Sequence, residues 1–179
     1  IEDCLFDDNS AVISGGAVRV SGTNTTILRS HFDKNKVTAG YSGDSKGIGG
    51  ALYIDGINAT VQYSSFTENT AVGRGGAIFW NGGHGGDSII GSNFTRNKAT
   101  SYNNALGGAV YWSAGGASTP GGLIKDNIFD SNYAAKHGGA IDGHRSYNSV
   151  MDNCTFINNS ALKDGGAFYI GDTGRKKKN

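Results

Sequence analysis

Proline occurs once, at Pro120, and cysteine only twice, at Cys4 and Cys154, in a chain of 179 residues. Two cysteines are too few to frame a disulfide scaffold. The scarcity of proline, with glycines that keep no every-third-residue period, excludes a collagen-like helix even though glycine supplies 30 residues. Charge is also scarce and nearly balanced: 17% of residues are charged and the formal net charge is +1. That balance offers no electrostatic case for nucleic acid. With 37% hydrophobic residues the chain is nonetheless too apolar for a disordered segment. No apolar run exceeds a few residues, so no membrane insertion by this segment is expected. The chain opens on Ile1 without a charged-then-apolar leader, and is therefore expected to be a piece of a longer protein.

What is present is a repeat. Phe-x-x-Asn recurs as Phe6/Asn9, Phe32/Asn35, Phe66/Asn69, Phe94/Asn97, Phe129/Asn132 and Phe156/Asn159. Gly-Gly-Ala plus an apolar residue alternates with it, beginning at Gly15, Gly49, Gly75, Gly107, Gly138 and Gly165. The six units run to about 26–35 residues each. In units 1, 3, 5 and 6 the Phe and the first Gly keep one separation; unit 2 carries an insertion around Val37–Gly47 and unit 4 a smaller one around Ser101–Asn104. Insertions at one point of a repeat mark loops on one side of a solenoid.

Aligned, the units form apolar columns with a period of two inside short segments and no sustained helical period, which argues strands. Strands of 3–5 residues punctuated by Gly and Asn fit an all-β fold, a right-handed parallel β-helix of about six coils. Residues 1–170 then form one domain and 171–179 a basic tail. In this reading the Phe column fills the interior and Gly-Gly makes a corner. The Asn column sits at another corner, where Asn tolerates left-handed backbone and its amide can bond the next coil. Cys4 and Cys154 share one column in coils 1 and 6, about five strand spacings apart, and are expected to be buried free thiols.

Candidate chemistry is thin. The carboxylates do not align on neighbouring coils, as paired acid–base catalysis would need. Asp142, His144 and Arg145 form the densest polar cluster and read as an exposed turn. Gly82–Asp87 spells one copy of a calcium-binding repeat that works only in tandem, and reads as a loop. His137 and His144 are expected on different faces. Neither a metal nor another cofactor is expected. Asn24, Asn58, Asn93, Asn153 and Asn158 fit the glycosylation acceptor pattern: they carry sugar if the chain passes a glycosylating secretory route and are bare surface asparagines otherwise. If Val18 and Val20 point inward, then Ala17 and Arg19 point outward. The Arg19 column continues as Tyr53, Phe79, Tyr111, Asp142 and Tyr169, beside a column of Ala. Tyr53, Phe79, Tyr111 and Tyr169 are therefore expected to meet a second chain, a distal segment or a glycan, the other possibility being a loop of the same chain.

Segments such as Phe6–Val18 and Phe66–Ile78 resemble the paired FxxN and GGA[I/L/V] repeats of chlamydial polymorphic outer membrane proteins, and similar repeats in adhesin-like surface proteins of other microbes. The resemblance extends over nearly all of residues 1–170. It implies a right-handed β-helix, secretion, and an adhesive or structural role at the cell surface. Two readings follow. One is a non-catalytic structural or adhesive module, extracellular or on the cell surface, with other protein chains (in self or lateral assembly) and glycans as partners. The other is a carbohydrate-active β-helix enzyme of pectate lyase or glycosidase type.

Overall fold

The computed structural model describes residues 1–39, 47–82, 86–113, 121–144, 146 and 148–171. The strands stack into four parallel sheets, three of six strands and one of five, each sheet taking one strand from successive coils. This is a right-handed parallel β-helix, the hand that parallel crossovers adopt. We number the coils 1–6 by Phe6, Phe32, Phe66, Phe94, Phe129 and Phe156. Within a coil the chain passes a strand such as Thr60–Gln62, the phenylalanine strand (Ser65–Thr67), a two-residue strand (Thr70–Ala71), the Gly-Gly corner, and a last strand (Ile78–Trp80). No described residue is helical. The described residue Gly47 and the turn at 102–104 place both insertions between the two-residue strand and the Gly-Gly corner.

Strict register is what turns a repeat into a core. Phe6 pairs with Phe32, Phe32 with Phe66, and so on to Phe156. Their rings stack nearly parallel at 4.7–5.0 Å between centroids, which is the strand spacing itself. The inner phenylalanines Phe32, Phe66, Phe94 and Phe129 are fully buried, while Phe6 and Phe156 at the two outer coils are partly covered.

A polar ladder runs beside this stack, from Asn9 through Asn35, Asn69, Asn97 and Asn132 to Asn159, each side chain donating to the Oδ1 of the next. Asn97 illustrates it: its Oδ1 accepts from the backbone N–H and the Nδ2 of Asn69, both at 3.0 Å. Its own Nδ2 donates to Phe66 O at 2.9 Å and to Asn132 Oδ1 at 3.0 Å. The amide thus makes four bonds while wholly buried, which removes the penalty of burying it. Asn35 is bonded in the same way and is equally buried. Its Oδ1 accepts from the N–H and Nδ2 of Asn9, and its Nδ2 donates to Phe6 O and Asn69 Oδ1.

The ladder is not uniform at its ends. Asn9 is exposed, because no described coil lies beyond coil 1 to cover it. Asn159, in coil 6, is half-buried: its Oδ1 accepts twice from Asn132 and its Nδ2 donates to Phe129 O at 2.8 Å.

One expectation about these residues is corrected. None of Asn9, Asn35, Asn69, Asn97, Asn132 and Asn159 has the left-handed backbone expected of it. That conformation belongs to the residue before each: Asp8, Lys34, Glu68, Arg96, Ser131 and Asn158 have φ of 48–58°. The reason is a division of labour. A solvent-facing residue of any type takes the strained φ, and Asn holds the coils together with its side chain.

A second ladder uses the column two before each Phe. Ser30 N–H donates to Ser64 Oγ, Ser64 N–H to Ser92 Oγ, and Ser92 N–H to Asn127 Oδ1, at 2.8–3.1 Å. Cys4 and Cys154 close this column as free thiols, half-buried rather than buried because they lie in the first and last coils.

The two corner glycines do different work. The first has φ of 59–67° in every coil. The second runs so close to the next coil that a Cβ on Gly16, Gly50, Gly76, Gly108 or Gly139 would lie 2.0 Å from a glycine carbonyl oxygen there. The corner also breaks the expected alternation. Ala77 N–H and Ile78 N–H both donate to Ala109 O, so two successive residues face the same way. The alanines therefore line the core: Ala51, Ala77, Ala109 and Ala140 are fully buried within it, not on the outer wall.

Asn97→Ala strands partners on both neighbouring coils, and the expected cost is about 3–5 kcal/mol in urea unfolding. Arg96→Gly, one residue away, relieves left-handed strain and loses only an exposed ion pair with Glu68, so it should stay within about 1 kcal/mol of wild type. Titration of the unfolded, unreduced chain with a thiol reagent should count both cysteines.

Candidate functional site

The outer column behind the Gly-Gly corners carries the chain's most unusual chemistry. Tyr53, Phe79 and Tyr111 pair in register and stack at 5.3 and 4.9 Å, outside the main core. They form a second buried cluster with Ile48, and Leu106 packs against it. Only 9%, 6% and 3% of their surfaces remain exposed, so these three rings offer no face to a partner chain or glycan. Tyr169 is half-buried.

The cover comes from this chain. The residue just before each Gly-Gly forms its own column: Ser14, Ile48, Arg74, Leu106, His137 and Asp164. The left-handed first glycine folds that residue back over the aromatic row. The Arg74 guanidinium lies 5.3 Å from the centroid of the Tyr111 ring, and the His137 ring stacks at 4.5 Å on Tyr169. Arg19, in coil 1, lies 4.6 Å above Tyr53, whose hydroxyl donates to Asp55. The aromatic row is legible in the sequence. Its cover is not, although the position before Gly-Gly repeats as faithfully as the rings.

Coil 5 interrupts the row. Asp142 pairs with Tyr111 on one side and Tyr169 on the other, where coils 2, 3, 4 and 6 carry a ring. It is not on an exposed turn: the residue is 1% exposed, and among the described residues neither carboxylate oxygen has a hydrogen-bond partner. Burial pushes its pKa up to about 7, against the pull of Arg74 and Lys136. His137 and His144, expected on different faces, both lie against this row. His144 stacks on Tyr111 at 5.9 Å, while His137 rests on Tyr169 with Nδ1 3.1 Å from Asp164 Oδ2. Burial lowers the His137 pKa, and Asp164 acts against that shift. Arg145 lies outside the described residues.

A carboxyl poised near neutrality is what general acid–base chemistry uses. Here it is walled in by Tyr111 and Tyr169, with almost no surface for a substrate to reach. No group of three metal-ligating side chains exists among the described residues. In the single calcium-like stretch, residues 83–85 lie outside the described residues, and Asp87 is buried, its Oδ1 accepting from Ala59 N–H at 3.1 Å. The remaining carboxylates among the described residues are exposed or half-buried, and several make ion pairs between coils: Asp3 and Glu2 with Arg29, Asp8 with Lys36, Glu68 with Arg96, Asp152 with Lys125. The acceptor asparagines Asn24, Asn58, Asn93, Asn153 and Asn158 are all exposed, four of them at left-handed positions. Asn58 Nδ2 donates to Asn24 and Asn153 Nδ2 to Asp126.

The family model of the Chlamydia polymorphic membrane protein repeat matches residues 63–79 and 153–171. Each matched stretch runs from the corner before a phenylalanine strand, through Phe-x-x-Asn and Gly-Gly-Ala, to the outer ring at Phe79 or just past the one at Tyr169. The chain thus carries this repeat in coils 3 and 6, two of the units without an insertion. No curated protein and no solved structure was found to match the chain.

The raised pKa of Asp142 makes folding pH-dependent. The protonated acid is the form the fold accepts, so its cost is absent below the unfolded value of 3.8 and grows as pH rises to about 7. The loss should reach about 4 kcal/mol. Urea midpoints measured between pH 4 and 8 should fall for wild type and fall much less for Asp142→Asn. Equal slopes would show that the carboxylate is paired when charged.

Proposed function

We propose that this chain, which carries the polymorphic membrane protein repeat, is a non-catalytic structural or adhesive module of a secreted cell-surface protein or extracellular filament. The observation that carries this reading is where the polar groups go. Buried Asn and Ser side chains are used in coil-to-coil ladders, and many surface carboxylates in coil-to-coil ion pairs. Such a molecule is built as a rod whose outer walls present repeated side chains to other surfaces. The repeat itself supports a surface location, since its family is named for membrane proteins.

The partners of this reading are other protein chains and glycans, met on the exposed walls and not on the buried rings. Leu5, Asn93 and Ile128 stand on the outer side of the phenylalanine strands and are exposed. The five exposed acceptor asparagines are available to carry sugar if the chain is made in a glycosylating route.

Beads coated with the purified chain should bind cultured cells or immobilised glycans saturably, and beads coated with unfolded chain should not. In parallel, the chain should release no unsaturated product from pectin and related polyuronides, with or without calcium. Product release that follows the folded protein would replace this reading with the lyase one.

A further inference from the structure

The contact between coils has a direction. From each coil to the next, the N–H and Nδ2 of the earlier asparagine donate to the Oδ1 of the later one. The later Nδ2 donates back to the earlier phenylalanine carbonyl. The ladder therefore ends differently at its two ends. Among the described residues nothing donates to Asn9 Oδ1 in coil 1. In coil 6 the Asn159 N–H, one Nδ2 hydrogen and the Phe156 carbonyl meet no later coil among the described residues. The second ladder runs the same way, from Cys4 N–H donating to Ser30 Oγ down to Cys154. Phe6 and Val18 on coil 1, and Met151, Phe156 and Phe168 on coil 6, form the half-buried rim of the core.

The corner gives a second, independent sign. In coils 1–5 the second glycine is forced, because a Cβ there would run into a glycine carbonyl of the next coil. In coil 6 a Cβ on Gly166 would meet only Asn159 O, at 3.4 Å. Gly166 is exposed, whereas its counterparts Gly16, Gly50, Gly76, Gly108 and Gly139 are buried. Packing among the described residues does not require glycine at this corner, yet room for another coil's carbonyl is kept.

We propose that the face of coil 6 docks on coil 1 of a second copy of this chain, in the register that the coils already use, and that successive copies extend the rod. Phe156 then stacks on Phe6 of the next copy. Asn159 donates to that copy's Asn9 Oδ1, and that Asn9 donates to Phe156 O, so each idle polar group of the ladder finds its partner. Two like ends do not fit: coil 1 would set acceptor against acceptor, and coil 6 donor against donor. The contact is thus heterologous and grows into a filament in place of closing into a dimer. The proposal rests on the structural-module reading and names one partner for it. Failure to stack would leave the bead-binding result standing, and failure to bind beads would leave the stacking standing.

Stacking also brings Cys154 of one copy beside Cys4 of the next, in the column they share. Within one chain they stand in the first and last coils. Across the contact their Cα atoms come to about 4.8 Å, inside the range of about 4.4–6.8 Å that a disulfide spans. Diamide is the oxidant that records this: two thiols become one S–S bond, and their two protons and two electrons pass to the N=N bond, giving the hydrazine.

Sedimentation at rising concentration should show mass growing past the dimer, and electron micrographs should show rods one β-helix wide. After diamide, a non-reducing gel should show a ladder of whole multiples, and peptide mapping should find Cys4 linked to Cys154. Gly166→Ala should keep the wild-type unfolding midpoint at a dilution where both chains are monomers. It should raise the concentration for half-assembly at least about tenfold, since the added methyl meets the Gly16 carbonyl of the next copy. The disulfide map decides alone if Gly166→Ala does not fold. A chain that is monomeric at every concentration, a closed dimer, Cys4–Cys4 links in place of Cys4–Cys154, or equal assembly by Gly166→Ala would overturn the proposal.

Discussion

The fold depends on how closely one coil can approach the next. Strand hydrogen bonds set the spacing at about 4.8 Å, and every side chain must then tolerate a near-copy of itself at that distance. Flat rings satisfy the condition by stacking, as the six phenylalanines do. Amides satisfy it because Asn carries both donors and acceptors and can bond the Asn above and below without a charge. At the corner, where backbone meets backbone, only glycine satisfies it, since a Cβ would sit 2.0 Å from the neighbouring carbonyl oxygen. The Phe-x-x-Asn and Gly-Gly-Ala motifs are the chemical record of this one constraint.

Charge follows the same logic from the other side. A charged group repeated at the strand spacing would repel its copies, so charged residues occupy the outer wall and several meet the opposite sign on the next coil. Arg29 meets Asp3, Lys36 meets Asp8, and Arg96 meets Glu68. Each exposed pair contributes little, about 0–1 kcal/mol, but together they avoid like-charge stacking. Asp87 and Asp142 depart from this, both being buried, and Asp142 is a carboxyl inside an aromatic row, its neutral form favoured by burial. It stands next to Gly143, which brings no side chain to the inner column. The ring and inner apolar residue that coils 2, 3 and 4 carry at these two positions are both missing in the fifth.

Legibility follows the period. Columns that repeat with a single residue type, Phe, Asn, Gly and Ala, are visible in the aligned units, and with them the number of coils. Backbone conformation is less visible. Asparagine's tolerance of positive φ points to Asn35 or Asn159, yet the strained position is the variable residue before each, Lys34 or Asn158, which no column marks. The direction of a side chain is also hidden. Counting alternately from Val18 puts Ala17 outside, but the shared acceptor at the corner turns both residues inward. The same counting correctly puts Tyr53, Phe79 and Tyr111 outside the main core, yet does not show that they are covered. The covering residues, Ile48, Arg74, Leu106 and His137, differ in chemistry from coil to coil, so their column has no signature except its position before Gly-Gly.

By itself, then, the sequence determined the architecture: a parallel β-helix whose coils stack Phe on Phe and Asn on Asn. A repeat whose units must bury their apolar side on one another has few other solutions. Only the tertiary structure decided what is inside and what is available. Whether a ring is a contact surface or a buried layer depends on which residue a left-handed glycine folds back over it. Whether Asp142 is a solvated turn or a neutralised buried acid depends on the Tyr111 and Tyr169 side chains of adjacent coils. Whether a side chain would fit at Gly143 depends on the Phe168 ring of the next coil, which a Cβ there would meet at 3.3 Å. These neighbours lie roughly 30 residues apart along the chain and one strand spacing apart in space, and the contact between them exists only once the coils have closed.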